Sequence, residues 1–537
     1  MRHDCTKIAP GLDGVWEEKR VMGQETFYLT TPIYYINDVP HLGHAYTTVA
    51  ADFIARWRRL EGLKVHFLTG TDEHGEKVAR AAEARGLDPK GWADQVVSRW
   101  LEVWEALDIS NDDFIRTTES RHEGPVQKFV QALYDQGEIY LGTYEGLYCV
   151  GCEAFKLPDE LIDGKCPDHG IEPEVVKEDN YFFRLSNYAE RLVELYETSE
   201  RFVMPETRRN EVLGKVKQGL EDLSMSRVSF EWGIPLPWDS KHVIYVWVDA
   251  LQNYITAAGY GSDDSLFQEL WPVDIHFIGK DILWFHSVIW PAMLMALDLP
   301  VPTTVFAHGF LQVGGEKMSK TKLTGISPHE LVETFGSDGY RYYFLREISF
   351  GQDGNFSWES MVERYNFDLA NDFGNLASRV TSMIDRYLEG SVPEPPGDDE
   401  LTAAETKLIE VQRTAFKDMQ TAVDDIAPHE ALKGAWRFVK AANAYVDEVT
   451  PWALAKDAEQ RRRLEVVLYH LADGLRLMAL MVFPAVPRAA QELWRRLGFE
   501  DPITDHGFAQ DSQWGLLPAG AHVSTGDPLF PRIEAKP

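Results

Sequence analysis

Residues 26–31 (TFYLTT), 32–44 (PIYYINDVPHLGH) and 45–59 (AYTTVAADFIARWRR) read in order as a strand, a turn-rich loop and a helix. A second strand over 65–69 runs into TDEHG (71–75), and a helix over 76–85 follows. Strand, loop, helix repeated twice is the pattern of a parallel α/β sheet. Ligands of such sheets sit beyond the carboxyl ends of the strands, where both unusual loops, PHLGH and TDEHG, fall. The pattern breaks near Gly142 and returns with strands expected over 242–248 (HVIYVWV), 274–279 (DIHFIG) and 304–309 (TVFAHG). The sheet is therefore split by an insertion of about a hundred residues, the boundaries good to several residues.

After Lys322 the strands fade. Short helices are expected over 338–350 and 357–365, PEPPGDDE (393–400) reads as a surface loop, and the rest is mostly helical. Leu464, Val467, Leu468, Leu471 and Leu475 share one face at helical spacing. The expected organisation is an extension over 1–24, a Rossmann-type first half over 25–141 and an insertion over 142–240. The second half follows over 241–322, then a stem-contact region over 323–370 and a helical domain with its tail over 371–537.

Composition narrows the class. The chain has 537 residues, 53 basic and 85 acidic, for a net charge of −32, which disfavours indiscriminate nucleic-acid binding and demands a local basic face for any polyanion. Hydrophobic residues at 44% exclude a wholly disordered chain. The longest apolar run, 477–486, is too short to span a membrane, which takes roughly 20 residues. The expectation is a soluble, cytoplasmic protein with no membrane partner.

Three of the four cysteines lie within eighteen residues: Cys149-x2-Cys152, then Cys166-x2-His169. Three thiolates and an imidazole at this spacing fit one tetrahedral Zn²⁺ with no place for water, hence a structural metal; two chance pairs in a loop are the alternative. His41 and His44 stand where a helix begins, a position that attracts phosphate, with Gly43 allowing close approach. Lys317 and Lys320, three apart after Gly314-Gly315, would clamp a polyphosphate as point charges. Either pair alone could be an ordinary polar cap or solvated surface. No G-x-x-x-x-G-K-[ST] loop occurs.

These stretches carry a resemblance. PHLGH and KMSKT look like the HIGH and KMSKS signatures of class I aminoacyl-tRNA synthetases. TTPIYYINDVPHLGH, TGTDEHG, YVWVDALQNY, FIGKDILWFHS and GGEKMSK together resemble the methionyl-tRNA synthetase family, from about Phe27 to Trp452. The resemblance implies an α/β fold with a zinc-knuckle insertion and a helical anticodon-binding domain. It implies a ligase that makes methionyl-adenylate from methionine and ATP with Mg²⁺, releases pyrophosphate, and transfers methionine to initiator and elongator tRNA(Met). His41, Gly43, His44, Lys317 and Lys320 would serve the phosphates, and Gly279 and Asp281 the ribose and adenine. Asp72 would hold the methionine ammonium, with Ile33, Tyr35, Trp247, Ala250, Leu251, Tyr254, Ile282 and His286 around its side chain; Tyr35 and His286 could offer polar contacts to sulfur. Trp247, Tyr254 and Ile282 would otherwise pass as core. Asn375, Arg379 and Trp452 would read the anticodon, against a reading of plain helix packing. The Cys₃His set would be the one-metal knuckle of the family. A monomer is expected. The alternatives are another class I synthetase, a non-catalytic tRNA-binding paralogue, and a Rossmann nucleotidyltransferase with no tRNA substrate.

Overall fold

The computed structural model describes residues 26–36, 38–149, 154–156, 161–167, 170–228, 230–313, 316–317 and 327–534. In chain order, the elements that matter to the site begin with β1 (Thr26–Tyr35), α1 (Leu42–Leu60), β2 (Lys64–Asp72), β3 (Asp113–Arg116) and α2 (Ser120–Asp135). The insertion supplies β4 (Ile139–Cys149), β5 (Ala154–Lys156), β6 (Glu174–Phe183), β7 (Val203–Met204), β8 (Leu223–Ser224), β9 (Ser226–Arg227) and β10 (Pro235–Leu236). Then come β11 (Asp239–Ile244), α3 (Val246–Leu251), α4 (Asn253–Ala257), β12 (Ile275–Gly279), β13 (Thr304–His308), β14 (Leu311–Val313), β15 (Glu316–Lys317), α5 (Pro328–Glu347) and β16 (Gly354–Phe356). The helical remainder includes α6 (Asn375–Leu388), α7 (Ala403–Asp424), α8 (Pro428–Val449), α9 (Arg461–Val482) and α10 (Pro487–Arg496).

The chain divides into two compact units. The first comprises Met1–Pro40, His66–Glu102 and Asn111–His308. It is built on a six-stranded sheet in the order β3-β2-β1-β12-β13-β7, whose registered pairs are parallel. β7 comes from within the inserted stretch and pairs with β13. The insertion also makes its own antiparallel sheet, β5-β4-β6-β8, in which β4 and β6 pair without a break from Ile139↔Phe183 to Tyr148↔Glu174.

One expected strand is not there. Of HVIYVWV, only its first residues lie in β11, which is antiparallel to β9 and β10 in a separate small sheet; Val246 opens α3. An unbroken apolar run carries no period, so helix and strand are indistinguishable in it. The helix turns Asp249 inward, where it meets two histidines (below), and that pairing outweighs the β-propensity of the valines.

The second unit comprises His41–Val65, Val103–Ser110 and Gly309–Pro537. The helix expected over 338–350 is the second part of the longer α5, bent at Gly336 (φ 71°), and the one expected over 357–365 is present as Trp358–Arg364, which runs on through a π-helical stretch, Tyr365–Gly374, into α6. α9 is buried along nearly its whole length and is the central helix of the bundle.

A buried ion cluster fixes α1 here. Asp52, fully buried, accepts from Arg56 Nε at 2.7 Å, the Ser110 backbone N–H at 2.7 Å and Arg341 at 2.6 Å. Arg341, on α5, also donates to the carbonyls of Pro484 and Ala485. Burial alone would raise the Asp52 carboxyl, but Arg56 and Arg341 hold it well below the usual range. Breaking such a pair by removing one partner typically costs about 3–5 kcal/mol. Among the described residues no helix is long and apolar enough to cross a membrane.

Candidate active site

The first unit gathers the side chains expected around methionine. Asp72 ends β2, 7% exposed, and its carbonyl accepts from Ile36 N. Ala250, Leu251 and Tyr254 belong to the buried core, while Ile33, Tyr35, Trp247, Ile282 and Phe285 pack on it half-buried. Trp247 stacks on Phe285 (centroids 4.1 Å apart, planes at 11°) and meets His286 edge-on at 6.4 Å. Phe285–Ile289 is a single π-helical turn, a local irregularity that proteins keep at functional sites.

The hydrogen bonds fix the protonation of His286. Its Nδ1 lies 3.0 Å from the Ile282 carbonyl and must donate; Nε2, 2.7 Å from the Tyr254 hydroxyl, must then accept. Burial pushes the imidazole down to about 4, so the ring is neutral at pH 7. Burial, with the charges of Tyr34 and Asp72 adding, pushes the Tyr254 phenol far up. Behind them His276, on β12, meets Thr30 Oγ1 at 2.7 Å, and burial lowers its imidazole well below the ordinary value. The Tyr35 hydroxyl donates to the His74 carbonyl at 2.8 Å. Tyr35 and His286, expected to offer polar contacts to sulfur, are both hydrogen-bonded within the protein.

A second cluster lies just behind. His74, of TDEHG, meets Asp249 Oδ2 at 2.7 Å; His122, on α2, meets Asp249 Oδ1 at 2.7 Å and Thr256 at 2.8 Å. All three ionisable groups are buried. Burial alone would lower His74, but the Asp249 carboxylate outweighs it and raises the imidazole. Burial would likewise raise Asp249; His74 and His122 bring it down to about 2. The pair ties the loop after Asp72 to the helix that carries Trp247, Ala250 and Leu251. Glu73 secures the same loop through Arg116, at 2.6 and 3.0 Å.

In the second unit, His41 caps α1. Its Nδ1 accepts from Gly43 N at 3.0 Å, and His44 Nδ1 accepts from His41 N at 3.3 Å, the two rings stacked 3.5 Å apart. A ring nitrogen that accepts carries no proton, so each neutral imidazole keeps its N–H on Nε2. A Cβ on Gly43 would stand 2.9 Å from the His41 ring, so a larger residue there would make that ring shift from its capping position. Lys317 ends β15, paired with Gln312 of β14; Lys320 lies outside the described residues. In the first unit Gly279 ends β12 and a Cβ there would meet Asp281 Oδ1 at 2.5 Å; Asp281 is exposed beside it.

Of the expected zinc ligands, Cys149 closes β4 and Cys166 starts a tight turn in which Gly170 N donates to its carbonyl at 2.8 Å. Both thiols are fully buried. Cys152 and His169 lie outside the described residues. Among the described residues no group of three or more ligand side chains comes together, as expected when half of a four-ligand set is outside them. Two fully buried thiols, one at a strand end and one opening a turn, fit a thiolate-bound metal.

On the helical bundle, Arg379 of α6 pairs with Asp447 of α8 at 3.0 Å and lies 5.9 Å from the centre of the Trp452 ring. Ser378, Arg379, Ser382, Met383, Tyr387 and Trp452 line an open cavity of about 390 Å³. Asn375, one turn before Arg379, is exposed on the same helix.

Residues 27–172 and 169–381 match the family model of class I tRNA synthetases (M), and residues 395–536 the anticodon binding domain of methionyl tRNA ligase. The methionine–tRNA ligase of Streptomyces coelicolor is 51% identical over 96% of this chain and 98% of its own. That of Caldanaerobacter subterraneus is 48% identical over 96% and 80%. A Mycobacterium tuberculosis methionyl-tRNA synthetase, solved in complex with methionyl-adenylate, superposes with a TM-score of 0.90 at 42% identity, covering 94% of this chain and 100% of that one. The chain belongs to the methionyl-tRNA synthetase family. Its reaction is the ATP-dependent activation of methionine to methionyl-adenylate, followed by transfer to tRNA.

Within this methionyl-tRNA synthetase site, sequence reasoning passed over His74, His122, Asp249 and His276. Three of them stand inside stretches that drew attention for other residues. The available signal was a charged or imidazole side chain interrupting an apolar run, as His276 does in Ile275-His276-Phe277-Ile278.

Proposed function

We propose that Asp72 binds the α-ammonium of methionine and that Ile33, Tyr35, Trp247, Ala250, Leu251, Tyr254, Ile282 and His286 enclose its side chain. The observation that carries this reading is the joining of a buried carboxylate to a wall of neutral, internally bonded rings within one unit. An ammonium needs a charge; a thioether needs a dry, polarizable surface.

The methionine carboxylate attacks the α-phosphate in line, and the chemistry is positioning plus charge stabilisation. His41 and His44 donate through Nε2 to phosphate oxygens as charge builds. Lys317 and Lys320, with Mg²⁺, take the charge of the leaving pyrophosphate. Gly279 and Asp281 hold the nucleoside. Asn375, Arg379 and Trp452 read the anticodon of initiator and elongator tRNA(Met), a base stacking on the tryptophan. Cys149, Cys152, Cys166 and His169 hold one structural Zn²⁺, which ties two turns of the insertion together. One chain carries every residue named, consistent with a working monomer in the cytoplasm.

ATP–pyrophosphate exchange driven by single amino acids tests the pocket. Exchange with methionine, and none with leucine or valine, is expected; exchange with valine or leucine but not methionine would overturn the assignment.

A further inference from the structure

Among the described residues three aromatic side chains are largely exposed: Phe367 (56%), Trp452 (40%) and Tyr134 (38%). Tyr134 has one face covered by Trp238, stacked at 4.1 Å. Each of the other two has a cation over its ring at the same distance, Lys440 Nζ above Phe367 and Arg379 above Trp452, both 5.9 Å from the centroid.

Phe367, Asn371, Asn375 and Arg379 follow one another at intervals of four along the continuous helical run from Tyr365 to Leu388 and are all solvent-facing in part or whole. α8 runs beside it and meets it at three places in the same order. Lys440 lies over Phe367, Asn443 Nδ2 donates to the Asp372 carbonyl at 2.9 Å, and Asp447 pairs with Arg379. The two helices thus form a ledge with a cation–aromatic pair at each end and amide side chains between.

We propose that Phe367 and Lys440 form a second stacking platform for an unpaired nucleotide of the tRNA, outside the cavity at Trp452. An exposed ring costs free energy in water unless something covers it, and a base is a flat partner of matching size. The lysine over one side of the ring supplies the positive charge a phosphate needs, leaving the other face to the base. That charge matters on a protein of net charge −32, where a polyanion is accepted only at local cations. The ledge is continuous with the Arg379–Trp452 cavity, so the inference rests on reading that cavity as an anticodon surface. Twelve residues separate Phe367 from Arg379, up to about 18 Å of helix. The base at Phe367 is therefore a different nucleotide from the one at Trp452.

The test measures the ratio of tRNA aminoacylation (kcat/KM for tRNA) to ATP–pyrophosphate exchange, which needs no tRNA, in one preparation of each variant. F367A is expected to lower this ratio about tenfold, the scale of one lost base stack. F367W should retain it, whereas F367L, apolar but without a π-face, should behave as F367A. K440Q should reduce the salt dependence of tRNA binding by about one phosphate contact. A parental ratio in F367A, or a ratio in F367L as high as in F367W, would overturn the platform. W452A in the same assay separates the two readings: a loss with W452A and none with F367A removes only the platform, and a loss with neither removes the cavity reading as well.

Discussion

The wall around His286 and the face around Trp452 treat polar and aromatic groups in opposite ways. At His286 the rings are buried, neutral and bonded to one another, with Tyr254 donating to Nε2 and Nδ1 donating to Ile282. At Trp452 the ring stands in water with a guanidinium over it. The difference matches what each surface is proposed to hold. Apart from the carboxylate that reacts, a thioether amino acid brings one ammonium and a nonpolar side chain, for which a dry wall and a single protein carboxylate suffice. RNA brings phosphates and flat bases, so the protein offers cations and open aromatic faces. Damage at the first surface should therefore abolish activation of the amino acid, and damage at the second should spare it.

The sharpest break is Asp72→Ala. Removing the charge partner of a buried ammonium costs about 4 kcal/mol, so methionine-dependent exchange should lose roughly a thousandfold in kcat/KM. A loss below tenfold would take the ammonium away from Asp72. His44→Ala comes next, with a fall of about a hundredfold in the single-turnover rate of adenylate formation, the scale of one transition-state donor. Unchanged kinetics would deny the imidazole its phosphate.

Asp249→Asn probes what stands behind the buried wall. It should destabilise the protein by roughly 3 kcal/mol in urea titration, as one partner of a buried ion pair is lost. The effect has a pH window. His74 is raised in the folded state, so its share is fully present below about pH 6.5 and is lost as pH climbs through the folded value. Asp249 lies at about 2, so its share is present above about pH 4 and fades as pH falls towards 2. The difference between parent and variant should be widest between about pH 4 and 6.5. A difference that grows steadily above pH 8 would contradict the pairing.

The smallest effect belongs to the exposed face. Trp452→Ala should lower aminoacylation efficiency about tenfold for lost stacking, with the methionine-dependent exchange rate retained. Equal loss in both assays would mean a folding defect and would erase the contrast between the two surfaces.

Much of this division is written locally. The strand–loop–helix order around PHLGH and the apolar stripe of α9 need only near neighbours, and both are where the sequence puts them. The long-range polar contacts are not local. His74 meets Asp249 across 175 residues, His122 meets it across 127, and Thr30 meets His276 across 246. Those distances close only once the sheet has formed, and no short pattern encodes them. The same gap misassigned 242–248: the apolar run fits a strand, and only the distant histidines explain why Asp249 is turned inward on a helix. The exposed face was half legible, because the four-residue spacing of Asn375 and Arg379 is a helical signal, whereas the arrival of Trp452 over Arg379 is tertiary.

The most direct measurement is nitrogen-15 NMR of the imidazoles as pH is lowered from 8 to 5, with and without methionine. His286 should stay neutral throughout, protonated on Nδ1 and accepting on Nε2, while His74 keeps its proton to a higher pH than an ordinary histidine. A His286 ring that titrates near 6.5, or that carries its proton on Nε2, would contradict a pocket walled by neutral, internally bonded rings.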